Sequence, residues 1–222
     1  MGKFDIRYAL SQIPFLAKYV PITLFMALIS MTIALLISIV LLIINKEKIK
    51  ILYPLSKFYV SFFRGTPVVV QMFILYYGLP QVFPVFKEMT GLNATIIGLS
   101  LNSSAYMTES LSGAFDSVDK GQMEAALSIG MTRWQGIKRI VLPQAIKVAI
   151  PVLANDFINL IKMSSLAFML GVRDIMAATQ LQGAATYKFL ECYIAAASIY
   201  DVVIMFFVYI QRIIERKKSS AQ

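Results

Sequence analysis

The chain has 222 residues, of which 58% are hydrophobic and 15% are charged, and its formal net charge is +9. A soluble domain carries about 25% charged residues, so this composition excludes an ordinary soluble protein and a disordered chain and indicates an integral membrane protein. The positive charge then reflects Lys and Arg collected in cytoplasmic loops, not binding to nucleic acid.

The chain begins with a short segment, 1–18, that contains charged residues of both signs and a proline. It is too short to span a bilayer, so we expect it to lie at the membrane interface. Residues 19–45 then carry no charge at all. Because a spanning helix needs about 20 apolar residues, this stretch predicts the first membrane span, at about 20–44.

The second and third spans are predicted at about 58–80 and 92–115, where the chain again has long uncharged stretches. A basic cluster precedes the second span. The third is richer in Ser, Asn and Gly, which suits close packing against other helices.

A polar segment at about 117–147 interrupts this pattern, and spans four and five follow at about 149–170 and 189–211. Both of these spans contain charged residues, namely Asp156, Lys162 and Asp201. The sequence therefore predicts an all-α integral membrane protein, a single domain of five transmembrane helices over residues 1–222.

The distribution of basic residues orients these spans. Five spans place the termini on opposite sides, and fourteen Lys and Arg residues then share one side, against six on the other. Because cytoplasmic loops carry the positive excess, we predict the N-terminus outside, the C-terminus inside and the 117–147 loop in the cytoplasm. The fourteen are Lys46, Lys48, Lys50, Lys57, Arg64, Lys120, Arg133, Lys138, Arg139, Lys147, Arg212, Arg216, Lys217 and Lys218, and the six are Lys3, Arg7, Lys18, Lys87, Arg173 and Lys188.

The cytoplasmic loop contains the most specific pattern in the chain. It consists of Glu124, Ala125, Ala126, Gly130, Ile140, Leu142 and Pro143. Gly tolerates a positive φ and Pro is poorly tolerated within a helix, so the pattern predicts a helix, a turn at Gly130 and a second helix that ends before Pro143. The apolar tip around Trp134 would suit a groove on a soluble partner, although an ordinary solvated loop has the same features.

This spacing resembles the signature loop of the membrane subunits of ATP-binding-cassette (ABC) importers. In that family the loop is the coupling helix, which docks on the ATP-hydrolysing subunit. The resemblance implies a type I ABC importer fold, with ATP and Mg held by the partner ATPase and no cofactor on this chain. It also implies an ATPase-coupling set of Glu124, Ala125, Ala126, Gly130, Arg133, Leu142 and Pro143, in which Glu124 and Gly130 are the most sensitive positions.

Further motifs resemble the polar amino-acid permeases of that family, over about residues 18–213. Phe-Arg-Gly-Thr-Pro at 63–67 and Tyr-Tyr-Gly-Leu-Pro at 76–80 are similar to their second-span signature. The resemblance implies uptake of a polar amino acid (basic, glutamine or cystine class) across the bacterial cytoplasmic membrane by alternating access. It also implies a second permease subunit, identical or paralogous, and an extracytoplasmic amino-acid-binding protein. The family often has Arg three residues after Glu109, where this chain has Ser112.

Polar side chains within the spans form a candidate substrate path. A charge near the bilayer centre costs a few kcal/mol, so it usually faces a cavity or a partner. At ~100° per residue, Asn155, Asn159 and Lys162 share one helix face and Asp156 adjoins it. Charges of both signs could bind a zwitterion, or Asp156 and Lys162 could pair with neighbouring helices instead.

Other polar residues extend this set. Ser165, Gln71 and Tyr76 are candidates for lining the path, with helix packing as the alternative for Gln71 and Tyr76. Arg64, Glu109 and Asp201 are candidates for gate or structural roles.

The residues that the chain lacks narrow its function. It contains no histidine, one cysteine and no P-loop motif, so we expect no metal site, no catalytic residues and no ATP hydrolysis by this chain itself. Two alternatives remain: a secondary transporter or channel that works alone, and a membrane enzyme, which would need a catalytic cluster.

Overall fold

The computed structural model describes residues 4–219, and the side chains of residues 4–216. Every regular element within that range is a helix, which confirms the all-α prediction. The helices are α1 (Ile6–Ala17), α2 (Val20–Glu47), α3 (Leu52–Gly65), α4 (Val68–Val82), α5 (Gly91–Asp116), α6 (Lys120–Ser128), α7 (Arg133–Gly136), α8 (Leu142–Met163), α9 (Ile175–Thr186) and α10 (Phe189–Ser219), with short 3₁₀-helices at Pro84–Phe86 and Ser164–Leu170. The side chains of Lys3, Lys217 and Lys218, which were counted for the orientation, lie outside the described ones.

Helix α5 lies at the centre of the bundle, where it packs against α2, α3, α4 and α8. Half of its residues are buried, and most of these are Ala, Ser, Thr or Gly. Such small side chains allow neighbouring helices to approach closely. The core around α5 consists of Ala27, Ala34, Met72, Ala94, Leu99, Met107, Leu160, Ile161 and Leu170.

Two of the described helices, α2 and α10, are long and apolar enough to cross a membrane, and α3 with α4 makes a third if the bent pair is one span. The predicted spans 92–115 and 149–170 coincide with α5 and most of α8. These two helices are more polar because α5 is enclosed by other helices and α8 carries the polar stripe of the candidate path. The count of five spans therefore stays a prediction.

The predicted second span, 58–80, is divided in the structure by a bend of 108° between α3 and α4. The bend falls at Thr66 and Pro67, both of which have extended backbone. Pro has no N–H to donate within a helix, and it disfavours the helical region for the residue before it. The Thr66-Pro67 pair therefore ends α3 and starts α4 in a new direction.

Proline has a different effect at two other places, where the helix continues with a wider turn. Single π-helical turns occur at Ile74–Gly78 and Ile137–Val141, and each ends two residues before a proline, Pro80 or Pro143. A π-turn shifts the register of the helical hydrogen bonds. The helix can therefore continue past a proline, which has no N–H to donate. The helix therefore does not end before Pro143, as the loop pattern predicted, but runs on from α7 into α8.

Candidate functional site

A cavity of about 650 Å³ opens where the α3–α4 bend faces α5 and α8. Its wall contains charges of both signs, from Arg64, Asp156 and Lys162. The full lining is Arg64, Gly65, Thr66, Pro67, Val68, Asn102, Ser103, Tyr106, Asp156, Asn159, Lys162 and Met163. The volume falls within the range of small-molecule pockets, so a molecule as large as an amino acid fits.

Three of the predicted path residues, Asp156, Asn159 and Lys162, contribute to this wall from one face of α8. The Oδ2 atom of Asp156 is buried, and no described residue forms a hydrogen bond with it. The Asp156 carboxylate therefore lines the cavity with one oxygen turned inward, and the Ser110 side chain of α5 is its polar neighbour.

Other predicted path residues lie away from the cavity wall. Asn155 is exposed but is not a lining residue. The Ser165 hydroxyl donates to the Lys162 carbonyl at 2.7 Å, so it caps the end of α8. Tyr76 packs against the core from the π-turn of α4.

Gln71 is also absent from the wall, because its side chain is buried and its amide is fully used within the chain. Its Nε2 atom donates to the carbonyls of Phe63 and Thr66, both at 3.0 Å, and its Oε1 atom accepts from Asn102 at 3.1 Å. These bonds match the packing alternative that the sequence left open for this residue.

Arg64 and Glu109, both predicted as gate or structural residues, form an ion pair at the edge of the cavity. The distance between Arg64 Nη1 and Glu109 Oε2 is 3.7 Å, and each side chain is nearly half exposed. The Arg64 guanidinium also lies 5.6 Å from the centre of the Tyr106 ring. Exposed pairs of this kind contribute about 1 kcal/mol or less, so the contact is easily opened.

Sequence reasoning missed the contribution of α5, whose Asn102, Ser103 and Tyr106 line the cavity. A signal was present, since these positions lie within one turn of each other on a helix otherwise rich in small residues. The fold was needed to show which face of α5 meets the bend.

Asp201 lies on the outward face of α10, and no described residue pairs with it. The buried face of this helix carries Cys192, Ala196 and Ile199, on the opposite side from Asp201. A carboxylate in the middle of an apolar helix needs a polar partner, so this face is a candidate contact with another polypeptide.

The predicted coupling residues lie at a second site, a hairpin formed by α6 and α7. Gly130 has a φ of +82°, so the turn uses the backbone region that favours glycine. Ala126 is buried against Gly136, where an added Cβ would lie 2.8 Å from the Met123 sulfur. A capping box between Thr132 and Gln135 starts α7.

The tip of this hairpin is unusually apolar for an exposed surface. Ile129 is 78% exposed and Trp134 is 70% exposed. The remaining predicted coupling residues, Glu124, Ala125, Arg133, Leu142 and Pro143, are also exposed. Arg133 forms an ion pair with Glu47 at 3.3 Å, which ties the hairpin to the end of α2.

Comparison with known proteins gives consistent matches over nearly the whole chain. The family described as binding-protein-dependent transport system inner membrane component matches residues 42–220. A probable amino-acid permease protein, YxeN of Bacillus subtilis (strain 168), is 47% identical over 99% of this chain and 98% of its own length. The arginine transport system permease protein ArtQ of the same strain is 37% identical over 97% of this chain and 98% of its own length.

A solved structure is also similar. The crystal structure of an amino acid ABC transporter with histidines superposes with a TM-score of 0.90 at 30% identity, over 97% of this chain and 100% of that chain. The likeness covers both the cavity and the hairpin.

Proposed function

The chain belongs to the family of binding-protein-dependent transport system inner membrane components, and we propose that its cavity is the path by which a polar amino acid enters the cell. It is a membrane subunit of an ABC importer for amino acids, and the ATP is hydrolysed by a partner subunit. The observation that carries the proposed path is a cavity between the bent pair α3–α4, α5 and α8, with charges of both signs in its wall.

The substrate we propose is an amino acid of the basic, glutamine or cystine class. Every amino acid has an ammonium and a carboxylate, and the wall offers Asp156 to the first and Lys162 or Arg64 to the second. Curated relatives of about equal identity are named for arginine, cystine and glutamine, so the basic class is favoured only by the solved transporter with histidines.

The topology we propose has five spans, with the N-terminus outside and the C-terminus inside. Ion pairs between helix ends support it. Lys46 at the end of α2 pairs with Asp116 at the end of α5 at 2.6 Å, so these ends share one side. Asp5 before α1 pairs with Lys188 before α10 at 2.8 Å, so these starts lie together, as the proposed topology requires.

We further propose that the α6–α7 hairpin is the contact with the ATPase. Its exposed apolar tip matches the helix-in-groove mode of recognition, and a flexible loop would not keep Ala126 packed against Gly136. When the ATPase closes around ATP and Mg, movement of the hairpin passes through the continuous α7–α8 helix to Asp156 and Lys162. The cavity would thereby change its side of access, as in alternating-access schemes.

The assembly we propose contains a second permease subunit, a copy of this chain or a paralogue, and an extracytoplasmic amino-acid-binding protein. The outward face around Asp201 supports the second subunit, because a lone carboxylate facing lipid is costly. The complex would lie in the bacterial cytoplasmic membrane as a multi-pass protein.

The proposal is tested by ATP-driven uptake of radiolabelled arginine or histidine into proteoliposomes that contain the purified complex with its binding protein. We expect uptake to require ATP, and Asp156→Asn to raise the half-saturation concentration about tenfold, since a charge-assisted hydrogen bond is lost. Glu215→Gln, which removes an acidic charge far from the cavity, is the matched control and should leave it within about twofold.

Two outcomes would contradict this proposal. Equal half-saturation concentrations for wild type and Asp156→Asn would remove Asp156 from the path. Uptake at the wild-type rate by the chain alone, without its ATPase, would favour a stand-alone transporter or channel.

A further inference from the structure

The bend between α3 and α4 is held by two buried side-chain amides. Gln71 Nε2 donates to the Phe63 carbonyl at 3.0 Å, to the Thr66 carbonyl at 3.0 Å and to the Thr66 hydroxyl at 2.8 Å. Asn102 Nδ2 donates to the Phe63 carbonyl at 2.9 Å and to Gln71 Oε1 at 3.1 Å. Both amide side chains belong to residues that are 4% exposed.

These bonds replace the ones that the bend removes. The last carbonyls of a helix have no partner within it, and Pro67 has no N–H to offer. In a buried position such carbonyls need another donor. Gln71 and Asn102 supply the donors, from α4 and α5 respectively, so three helices meet in one hydrogen-bonded network.

The network lies directly behind the ion pair at the edge of the cavity. Arg64 stands between Phe63 and Thr66, the two residues whose carbonyls accept the bonds. On α5, Tyr106 and Glu109 follow Asn102 at four and seven residues, and therefore lie on the same helix face. The bonds of Asn102 consequently set the end of α3 against the face of α5 that contacts Arg64.

We propose that Gln71 and Asn102 are positioning residues, which hold the α3–α4 bend so that Arg64 meets Glu109 and Tyr106 at the mouth of the substrate path. The inference rests on the proposed function for the meaning of that mouth. It gives Gln71 a role that does not require contact with substrate. It also explains how Glu109 has a partner although Ser112 stands where the family often has Arg.

The variant that tests this inference is Gln71→Met, which keeps the length of the side chain and removes its hydrogen bonds. We expect the half-saturation concentration for ATP-driven uptake to rise about tenfold, because Arg64 is no longer held at the cavity. The matched control is Gln81→Met on the same helix α4, whose exposed amide donates to the Tyr77 carbonyl at 2.8 Å. It should stay within about twofold of wild type.

A double-mutant cycle separates positioning from general stability. If Gln71 acts through the Arg64–Glu109 pair, Glu109→Gln should have about the same effect as Gln71→Met, and the two together should add little more. Multiplied effects in the double variant would overturn the inference. Thr66→Val removes one of the acceptors and should give a smaller shift, about threefold, in the same direction; it serves if Gln71→Met fails to assemble.

A second readout does not depend on transport. Gly65 lines the cavity, and an added Cβ there has nothing within 4 Å, so Gly65→Cys is tolerated, while the native Cys192 is buried. Gln71→Met should change the rate at which this cysteine reacts with a maleimide by about fivefold or more, since the bend is released. Unchanged labelling would overturn the positioning role, whereas absence of uptake by the wild-type complex would overturn the proposed function alone.

Discussion

Asp174 is a buried acid whose two carboxylate oxygens have different surroundings. It has no exposed surface, and its Oδ1 accepts from the Ala177 N–H at 2.8 Å as the cap of α9. Its Oδ2 has no hydrogen-bond partner among the described residues. Burial raises the pKa of Asp174 from 3.8 to about 6, although the backbone N–H groups oppose the rise.

This shift has a consequence for stability against pH. Because the folded pKa lies above the unfolded one, the stability from Asp174 is fully present below about pH 3.8 and is lost as the pH rises through about 6. Asp174→Asn keeps the helix cap and removes the titration. We therefore expect the melting temperature of the detergent-solubilised complex to rise by about 5 °C at pH 7.5 and by only about 2 °C at pH 4.5.

The control for this prediction is Asp119→Asn, which alters an exposed helix cap on α6. It should not reproduce the rise in melting temperature at pH 7.5. If the melting temperature of Asp174→Asn is lower than that of wild type at both pH values, the charged Asp174 carboxylate stabilises the fold, which would contradict this prediction.

Part of the candidate site follows from the helical periodicity of the sequence. Helical periodicity placed Asn155, Asn159 and Lys162 on one face with Asp156 beside it, and the structure brings Asp156, Asn159 and Lys162, but not Asn155, to the cavity wall. Periodicity left Gln71 open between path lining and helix packing, because it does not reveal that the chain turns back and puts the Phe63 and Thr66 carbonyls within reach of the amide. A polar residue in a span can serve a ligand or its own backbone, and only the fold distinguishes the two.

At the scale of elements, the α6–α7 hairpin depends on a close approach of its two helices. An added Cβ at Gly136 would meet the Met123 sulfur at 2.8 Å and the Ala126 Cβ at 3.5 Å. Gly136→Val would therefore push α7 away from α6 and move Trp134 relative to Ile129. We expect this variant to insert and assemble at near wild-type levels, while its substrate-stimulated ATPase activity falls at least about tenfold.

Gly113→Val is the matched control, because an added Cβ at that helical glycine has nothing within 4 Å. It should retain most of the stimulation. Full stimulation in Gly136→Val would mean that the hairpin geometry is not what couples the two subunits.

The sequence predicts some helix boundaries well and others poorly. The long uncharged run at 19–45 predicts α2 almost to its ends. A helix satisfies its own backbone hydrogen bonds and exposes its apolar side chains, as lipid requires. Prolines are ambiguous by comparison. Pro67 breaks a helix, whereas Pro80 and Pro143 each follow a π-turn within a continuing one. The difference depends on whether neighbouring side chains satisfy the freed carbonyls, which a single sequence does not reveal.

At the scale of the whole molecule, helix ends are sorted into two groups by their contacts. The ion pairs Lys46–Asp116 and Arg133–Glu47 hold the end of α2 close to the end of α5 and to the start of α7. The starts of α1 and α10 belong together through Asp5–Lys188, which is reinforced by a bond from the Asp5 N–H to Glu191 at 3.1 Å. One crossing to the end of α2, two more to the end of α5, one back to the start of α10 and one through α10 itself would give the proposed five spans.

Sided labelling of cysteines in intact cells tests that topology. Val85 is 82% exposed between α4 and α5, and Ile129 is 78% exposed at the hairpin tip, while the native Cys192 is buried. If the positive charge excess marks the cytoplasmic side, a membrane-impermeant maleimide should label Val85→Cys in intact cells. It should label Ile129→Cys only after the cells are permeabilised. The reverse pattern would invert the orientation and place the hairpin beyond the reach of any cytoplasmic ATPase.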